Sequence, residues 1–315
     1  MSDSIRTRWQ EKRYYSVDCY LKETYHEKIY RLALNGRMTC PNRDGTLGTN
    51  GCIFCSRGGS GDFAAPASLS IPQQIAQAKQ RLSKRIHCSR YIAYFQAFTN
   101  TYAPVSYLRH IFMEAILQPE IAILAIATRP DCLGPEVLAL LDELNHIKPV
   151  WIELGLQTIH EDTATWIRRG YPLAVFDEAV RQLHALHIDI VVHLILGLPG
   201  EDLSRILASV DYVSSLPIQG VKLQLLHILQ DTDLAAYYTL HPFPVYSPDS
   251  YCDTVIACLE HISPNIVIHR LTGDGPSDQL IAPLWSTKKM QVLNQINKTL
   301  KQRDTYQGRL FRKKE

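Results

Sequence analysis

Residues 150–196 read VWIELGLQTIHEDTATWIRRGYPLAVFDEAVRQLHALHIDIVVHLIL, and two kinds of pattern alternate within them. The two ends, residues 150–156 and 188–196, are short and almost wholly apolar, which is typical of strands buried on both faces of a parallel sheet. Between them, residues 175–186 repeat apolar side chains at the spacing of an amphipathic helix. This order of strand, helix and strand predicts a β–α–β unit with parallel strands.

The same alternation extends along most of the chain and predicts six βα units. Six units are fewer than the eight of a closed barrel, so we expect an α/β fold that forms an open or partial (β/α)6 barrel. In such a fold the functional groups lie at the carboxyl ends of the strands. The other predicted strands are 29–34, 91–96, 121–127 and 221–226, and the other predicted helices are 71–86, 105–117, 135–145 and 202–215.

Three prolines near the end of the repeated pattern, Pro217, Pro242 and Pro244, indicate where this region ends. We therefore expect an N-terminal extension at 1–28, the barrel at 29–240 and a C-terminal extension at 241–315. The C-terminal extension is predicted to contain a helix at 251–261, a strand at 266–271 and a basic helix at 284–300.

Composition restricts the class of protein. The chain has 315 residues, 46% hydrophobic and 20% charged, which is the balance of a folded globular protein. Its apolar runs are far shorter than the roughly 20 residues that cross a bilayer, so we expect no membrane partner. The N-terminus has no apolar core of a secretory signal. Eight cysteines without an export signal indicate a reducing compartment, and we expect a cytoplasmic protein whose thiols bind or react.

Three of the cysteines form a compact pattern. Cys40, Cys52 and Cys55 stand in residues 40–55, CPNRDGTLGTNGCIFC, directly after the first predicted strand. The loop is rich in Gly, Asn and Asp, which let a backbone curl and point its N–H groups at an anion. An iron–sulfur cluster needs thiolates from such a loop and N–H donors toward its sulfides. Three thiolates on a four-iron cube leave one iron open to another ligand.

Two alternatives to the cluster are open at this point. A structural zinc site would take Cys88 or His87 as its fourth ligand, although both follow a predicted helix. The spacing could also arise by chance, without any metal. The remaining cysteines lie in helix-like or apolar segments and are most simply core or surface thiols. They are Cys19, Cys88, Cys132, Cys252 and Cys258.

The cysteine loop and the segment after it resemble a known family. CPNRDG at 40–45 and GCIFCSRGGSGDFA at 51–64, with the aromatic Phe54 before the last cysteine, are similar to the radical S-adenosylmethionine (SAM) superfamily. The nearest resemblance is to its YhcC-type branch, close to the elongator-type enzymes that modify the wobble uridine of tRNA. The gap of 11 residues is longer than the usual three, as it is in those relatives. The resemblance implies a partial barrel of the radical SAM type.

The resemblance also implies SAM contacts at the ends of two strands. The segment YFQAFTNT at 94–101 follows the second strand, where relatives hold the SAM amino group, so Gln96, Thr99 and Asn100 are implied contacts. The segment ELGLQ at 153–157 resembles the fourth-strand E-x-G-x-Q, which implies Glu153 and Gln157. In relatives an arginine twelve residues after that glutamine contacts SAM.

That arginine is Arg169 in this chain, and it is implied to neutralise the SAM carboxylate. The segment HLILGLPG at 193–200 resembles the fifth-strand segment that lines the adenosine, which implies His193 and Gly197, although relatives often have Asp in place of this histidine. Leu226, on the sixth strand, is implied to pack on adenine. Each of these residues taken alone is more often structural, and their joint order favours the SAM site.

The implied function is that of an enzyme. A [4Fe–4S] cluster on the three cysteines would cleave SAM to a 5′-deoxyadenosyl radical that abstracts hydrogen, with a flavodoxin or ferredoxin as reductant. The implied substrate is tRNA. The alternatives are the same chemistry on a protein or small molecule, or a non-catalytic metal-binding module.

Charge is distributed unevenly along the chain. Residues 286–315 carry nine Lys or Arg against two acidic residues, and residues 1–37 carry eight against five, so the middle is acidic. Basic ends are one signature of nucleic-acid contact, and an ordinary solvated helix is the alternative. Five tyrosines among cations near the N-terminus suit RNA stacking or, equally, a half-buried helix face. They are Tyr14, Tyr15, Tyr20, Tyr25 and Tyr30.

Overall fold

Seven parallel strands form one sheet in the computed structural model, which describes residues 9–59, 61, 64–83, 88–273 and 275–312. Neighbouring strands follow the order of the chain, and the sheet curls into half a barrel. The strands are Tyr30–Leu34 (β1), Tyr91–Phe95 (β2), Ile121–Thr128 (β3), Val150–Gln157 (β4), Asp189–Leu196 (β5), Gly220–Leu225 (β6) and Val267–Arg270 (β8). A separate antiparallel pair joins Ile228–Leu229 (β7) to Leu280–Ala282 (β9).

The described residues form ten α-helices. They are Val17–Tyr25 (α1), Ile71–Ser83 (α2), Val105–Ile116 (α3), Pro135–Ile147 (α4), Glu161–Trp166 (α5), Leu173–Ala185 (α6), Leu203–Ser214 (α7), Asp233–Leu240 (α8), Pro248–His261 (α9) and Lys289–Gln302 (α10). Short 3-10 turns occur at Pro130–Cys132 and Leu284–Thr287. Among the described residues, no helix has the length and apolar character needed to cross a membrane.

The helices form where the sequence supplies an apolar stripe and a cap. In α6 the buried side chains are Phe176, Ala179, Val180 and Leu183, which lie on one face because they are three or four residues apart. Helix α7 begins after Asp202, whose carboxylate accepts a hydrogen bond from the Arg205 backbone N–H. These stripes pack on the outward residues of the strands, and one continuous core results.

The six strands of the predicted barrel are confirmed, and the sheet has one strand more. The seventh, β8, comes from the predicted C-terminal extension and pairs in parallel with β6. The predicted helix at 284–300 is divided, since the 3-10 turn precedes α10. The predicted end of the helix at 71–86 lies outside the described residues.

The N-terminal segment closes the floor of the half barrel. Tyr14 and Tyr15 are buried, and Tyr20 stacks on Trp151 with ring centroids 6.0 Å apart. The Tyr15 backbone carbonyl accepts a hydrogen bond from the backbone N–H of Ile268 on β8, at 2.7 Å. Tyr14 and Tyr15 therefore pack inside the protein and are not available for RNA stacking, whereas Tyr20, Tyr25 and Tyr30 are partly exposed and both interpretations of them stay open.

Candidate functional site

A cavity opens at the carboxyl ends of the strands, where the fold class places functional groups. Eight of the residues singled out in the sequence line it together. They are Cys40, Cys52, Cys55, Gln96, Thr99, Glu153, Gln157 and His193. The remaining four, Asn100, Arg169, Gly197 and Leu226, are not among the residues that line it.

The cysteine loop is held in place by its own polar side chains. The Asn42 amide donates to the backbone carbonyl of Arg168 at 2.7 Å and to the Cys52 Sγ at 3.4 Å. The Arg43 guanidinium donates to the carbonyls of Cys55 and Ser56, at 3.1 and 2.6 Å. Gly51 lies in the left-handed region with a φ of 74°, and a Cβ there would come within 2.9 Å of the Arg43 guanidinium. The loop therefore folds back on itself with its thiols facing the cavity.

The thiols suit a polynuclear centre. Burial, and then the neighbouring Cys55, raise the pKa of the Cys52 thiol to about 12, so a bound metal must displace its proton. Within the described ranges, no three His, Cys, Asp or Glu side chains converge as ligands of one metal ion. The three thiols line one cavity, and three thiols from one loop are a donor set that suits a cluster in which each thiolate binds a different iron.

Of the two candidates for the fourth ligand of a zinc site, Cys88 lies within the described residues, and it is at the opposite end of the strands from the cysteine loop. Cys88 precedes the amino end of β2, whereas the cysteine loop lies at the carboxyl ends of the strands. The other candidate, His87, lies outside the described residues.

Asn100 ties two strands together. Its side-chain amide donates to the backbone carbonyls of Phe95 and Ala127, at 3.2 and 2.8 Å, and the residue is fully buried. Both donors are used within the protein, so Asn100 is part of the framework of the site, whereas its buried amide oxygen has no hydrogen-bond partner among the described residues and the implied SAM contact stays a prediction.

Arg169 is likewise part of the framework. Its guanidinium donates to the carbonyls of Tyr171, Thr158 and Leu156, at 3.0, 2.7 and 3.4 Å. It also pairs with the Glu161 carboxylate at 3.0 Å, and only 1% of its side chain is exposed. These contacts use four of the five N–H groups of the side chain, so Arg169 is held by the protein, and the contact with the SAM carboxylate that the motif implies stays a prediction.

Arg129 is a cation from outside the cysteine loop that lies beside it. It follows β3, lines the cavity, and donates to the Arg169 backbone carbonyl at 2.8 Å. Its guanidinium makes a bidentate pair with Asp131, at 2.9 and 2.7 Å. The sequence analysis missed it, since a single arginine after a strand carries no pattern.

Gly197 and Leu226 pack beside the cavity. Gly197 has a φ of 93°, and a Cβ there would lie 3.1 Å from the Tyr246 ring. Leu226 is buried in a small apolar cluster with Ile53 of the cysteine loop and Leu198. Leu226 therefore belongs to the apolar cluster that contains Ile53 of the cysteine loop.

Gln157 closes the end of β4. Its backbone is in the left-handed region with a φ of 65°, near Gly155, where a Cβ would come within 2.5 Å of the end of the glutamine side chain. With the amide oriented to suit its neighbours, the nitrogen donates to the carbonyls of Gly155 and Leu156, at 3.1 and 2.9 Å. Glycine at 155 is therefore required for this side chain to turn into the cavity.

A layer of charged side chains lies deeper in the cavity. Glu153 is completely buried, and its carboxylate accepts hydrogen bonds from Lys222 and from His193, the latter at 3.0 Å. The Arg31 guanidinium lies 3.8 Å from the second carboxylate oxygen. Burial alone would raise the pKa of Glu153, but Lys222, His193 and Arg31 hold it well below its usual range. Glu153 is therefore an anion.

His193 is neutral and has a defined orientation. Burial, and then the Lys222 ammonium, lower its pKa to about 4, against the attraction of Glu153. Its Nε2 faces the Glu153 carboxylate, and its Nδ1 lies 3.1 Å from the Gln224 amide nitrogen. The proton therefore lies on Nε2, and Nδ1 accepts from Gln224.

Lys222 was missed in the sequence analysis. It is 1% exposed in the middle of β6, donates to the Tyr94 hydroxyl at 3.2 Å, and lies 4.8 Å from the centre of that ring. A signal was present, because a lysine within the apolar stretch GVKLQL is unusual unless it is paired. The sequence alone could not predict that Lys222 contacts Glu153, because that contact depends on the register between the strands.

Comparisons with known proteins give a single family. The sequence model of the radical SAM superfamily matches residues 45–213, and that of the radical SAM C-terminal domain matches residues 218–302. Uncharacterized protein YtqA of Bacillus subtilis is 42% identical over 97% of this chain and 95% of its own. Protein YhcC of Escherichia coli is 34% identical, covering 89% and 90%.

Solved structures share the fold. An N-terminally truncated Elp3 from the archaeon Methanocaldococcus infernus superimposes with a TM-score of 0.68 at 14% identity, over 89% of this chain. This chain spans 64% of that Elp3, less than two thirds of its length. Methylornithine synthase superimposes with a TM-score of 0.56 at 13% identity, over 98% of this chain and 91% of its own.

Proposed function

The chain belongs to the radical SAM superfamily, and from this premise we propose that it is a tRNA-modifying enzyme. The cofactors of the family are a [4Fe–4S] cluster and SAM. When bound, these cofactors would supply the radical chemistry: one electron cleaves SAM to a 5′-deoxyadenosyl radical, which takes a hydrogen atom from an unreactive C–H bond. The protein contributes binding, orientation and exclusion of competing reactions.

One observation carries the proposal for the cofactor site. Cys40, Cys52 and Cys55 share a single cavity with polar side chains from the ends of β2 and β4. We propose that the three cysteines hold the cluster, and that Gln96, Thr99 and Gln157 bind and orient SAM beside it. The loop contacts of Asn42 and Arg43 would keep the thiols in position when the cluster is absent.

The choice of tRNA is supported by the resemblance and by charge. The cysteine loop resembles that of elongator-type enzymes that modify wobble uridine. On the C-terminal helix, Lys298 and Lys301 are exposed and make no ion pair with any other described residue. Lys289, at the start of α10, lines a groove that adjoins the cavity through Gln96 and Arg270. Lysines arranged from the mouth of the cavity along a helix suit the phosphates of a folded RNA.

The proposal is tested by nucleoside analysis. Total tRNA from a strain lacking the gene, and from strains that express the wild type or a triple variant (Cys40→Ala, Cys52→Ala, Cys55→Ala), would be digested and analysed by mass spectrometry. We expect one modified nucleoside to disappear without the gene, to return with the wild type and to stay absent with the triple variant. A Cys88→Ala variant is the matched control and should restore it. Identical nucleoside profiles in all strains would contradict the choice of tRNA.

A small-molecule or protein substrate is the second candidate. It is favoured by two tail cations that are used within the protein, since Arg303 pairs with Asp253 at 2.5 Å and Arg309 lies 4.0 Å from Glu260. Metabolite profiles of the same strains separate the two candidates, because only this one predicts an accumulating metabolite with unchanged tRNA.

The reductant and the location are proposed on general grounds. Radical SAM enzymes need an electron donor, and we propose a flavodoxin or a ferredoxin. All eight cysteines are free, as is usual in a reducing compartment, which supports a cytoplasmic location.

A further inference from the structure

A second cavity lies at the amino ends of the strands, the opposite end from the cysteines. We call it the floor cavity, and the residues that matter here are four rings and one carboxylate: Tyr15, Tyr20, Trp151, His269 and Asp189. Its volume of about 360 Å³ falls within the range of roughly 300–1,000 Å³ that is usual for small-molecule sites.

The floor cavity is on the same face of the sheet as the charged layer around Glu153. Trp151 is the second residue of β4, and Asp189 is the first residue of β5. Side chains alternate along a strand, so Trp151 shares a face with Glu153, and Asp189 shares a face with His193. The floor cavity therefore lies below the charged layer, about 6–7 Å along β4 from Glu153.

The four rings make a continuous aromatic wall. The ring centroids of Tyr15 and Tyr20 are 6.4 Å apart, those of Tyr20 and Trp151 are 6.0 Å apart, and those of Trp151 and His269 are 5.0 Å apart. Successive rings are inclined by 74°, 54° and 68°, so the wall is curved and is not a flat stack. The faces of such rings carry partial negative charge and attract cations.

Asp189 gives the floor cavity a negative charge. It is the one charged residue among the described residues that line this cavity, and it makes no ion pair with any other described residue. Burial raises the pKa of Asp189, against the effect of a hydrogen bond from the Trp151 side chain. A half-buried carboxylate without a counter-ion is costly, and a bound cation would compensate it.

His269 does not supply that cation. Its Nδ1 accepts a hydrogen bond from the Arg31 guanidinium at 2.9 Å, and burial, followed by Arg31, holds its pKa well below its usual range. The ring is therefore neutral, with its proton on Nε2. Arg31 itself lies 3.8 Å from Glu153 in the charged layer, so its charge is balanced there.

We propose that the floor cavity binds a small organic cation, a protonated amine or a quaternary ammonium group. Asp189 would supply the opposite charge, and the rings of Tyr20 and Trp151 would cover the alkyl substituents of the cation. An anion would meet the Asp189 carboxylate without a cation in the lining, and a neutral ligand would leave that carboxylate uncompensated. The inference goes beyond the proposed function and does not depend on it, because this cavity and the cysteines are at opposite ends of the strands.

The test is cation binding to the full chain reconstituted with its cluster. Tetramethylammonium chloride and methylammonium chloride are titrated separately, with sodium chloride at the same ionic strength as the reference, and binding is measured from the rise in melting temperature by circular dichroism. We expect at least one of the two cations to stabilise the wild type beyond sodium chloride. Asp189→Asn should weaken binding by about tenfold or more, because it removes the charge and keeps the shape of the side chain.

Three further variants keep the result decisive. Tyr20→Leu removes a ring and should weaken binding, whereas Tyr20→Phe keeps the ring and should retain it. Asp211→Asn changes a surface carboxylate that pairs with His261, and as the matched control it should behave as the wild type. Each rise is measured from the variant's own melting temperature, so that a less stable fold is not counted as weaker binding.

The two probes also distinguish the kind of cation. Stabilisation by tetramethylammonium alone identifies a quaternary ammonium ligand, and stabilisation by methylammonium alone identifies a protonated amine. No stabilisation of the wild type beyond sodium chloride would overturn the inference. Equal stabilisation of the wild type and of either Asp189→Asn or Tyr20→Leu would also overturn it.

Discussion

Two consecutive arginines, Arg168 and Arg169, give a sharp test of how the site is built. Arg169 is buried and donates to three backbone carbonyls, whereas Arg168 pairs with Asp233 at the surface at 2.5 Å. Replacing Arg169 by Ala removes the side-chain donor from the carbonyls of Thr158 and Tyr171. It also leaves Glu161 without its buried partner.

The expected cost follows from these contacts. Each buried acceptor that loses its partner costs about 1–3 kcal/mol, whereas the lost ion pair adds little because the Glu161 carboxylate is half exposed and remains hydrated. Since the contributions are not additive, we expect Arg169→Ala to lower the free energy of unfolding by about 3–5 kcal/mol. Arg168→Ala should lower it by less than about 1 kcal/mol, because surface ion pairs contribute little.

The measurement is equilibrium urea unfolding of the two variants and the wild type in one buffer at pH 7, followed by circular dichroism. SAM affinity is measured at a low temperature at which all three are folded. If Arg169→Ala were as stable as Arg168→Ala but bound SAM at least tenfold more weakly, the framework role would be refuted. Arg169 would then be a SAM ligand, as the sequence motif implied.

Three further outcomes are expected. Glu153→Gln should lower the free energy of unfolding by about 3–5 kcal/mol, because it leaves Lys222 buried without its counter-ion. Adding Lys222→Met should restore most of that loss, as measured by urea unfolding of the two single variants and the double variant. Additive losses would show that the two residues are not coupled. The folded-state pKa of His193, about 4, lies below its ordinary value of 6.5, so the unfolded chain binds the proton more readily and stability falls as the pH is lowered from about 6.5 to 4. His193→Gln should therefore show a weaker loss of stability between pH 6.5 and 5 than the wild type, and an unchanged pH profile would contradict this. Replacing Lys298 and Lys301 by Gln should flatten the salt dependence of tRNA binding, measured by fluorescence titration, by up to about 0.7–0.9 in log–log slope per lost phosphate contact; equal slopes would exclude these lysines from the interface.

The strands and most helices could be predicted because each is specified by local pattern. Strand β5 is an apolar run, and α6 has apolar residues at helical spacing, so neither depends on information from elsewhere in the chain. The strand β8 was predicted as an element, but its membership of the sheet was not. That pairing depends on the curvature of the sheet and on the isolated bridge between Ser16 and Ile268, which join segments far apart in the sequence.

In the candidate site, too, some residues could be predicted from local spacing and others depend on contacts between distant segments. The three cysteines follow from spacing within 16 residues, and they line the cavity together. Arg169 carries the motif position of a SAM ligand, but whether a guanidinium faces a ligand or a set of carbonyls is decided by the turn that follows the strand. Lys222 and Arg270 carry no motif, because their proximity depends on the register between β6 and β8. A local motif is therefore enough to predict the ligand chemistry of a site. Charged residues that are far apart in the sequence join the site only through the register of the strands, which no local motif encodes.

The central claim is that Cys40, Cys52 and Cys55 hold a cluster that cleaves SAM. It is tested most directly by anaerobic reconstitution with iron and sulfide, followed by iron analysis and by detection of 5′-deoxyadenosine after reduction in the presence of SAM. The wild type and Cys88→Ala should bind four irons per chain, show a brown chromophore and form 5′-deoxyadenosine, whereas the triple alanine variant at the three cysteines should do none of these. A triple variant that retains iron and SAM cleavage, or a wild type that binds one zinc ion and remains colourless, would contradict the account.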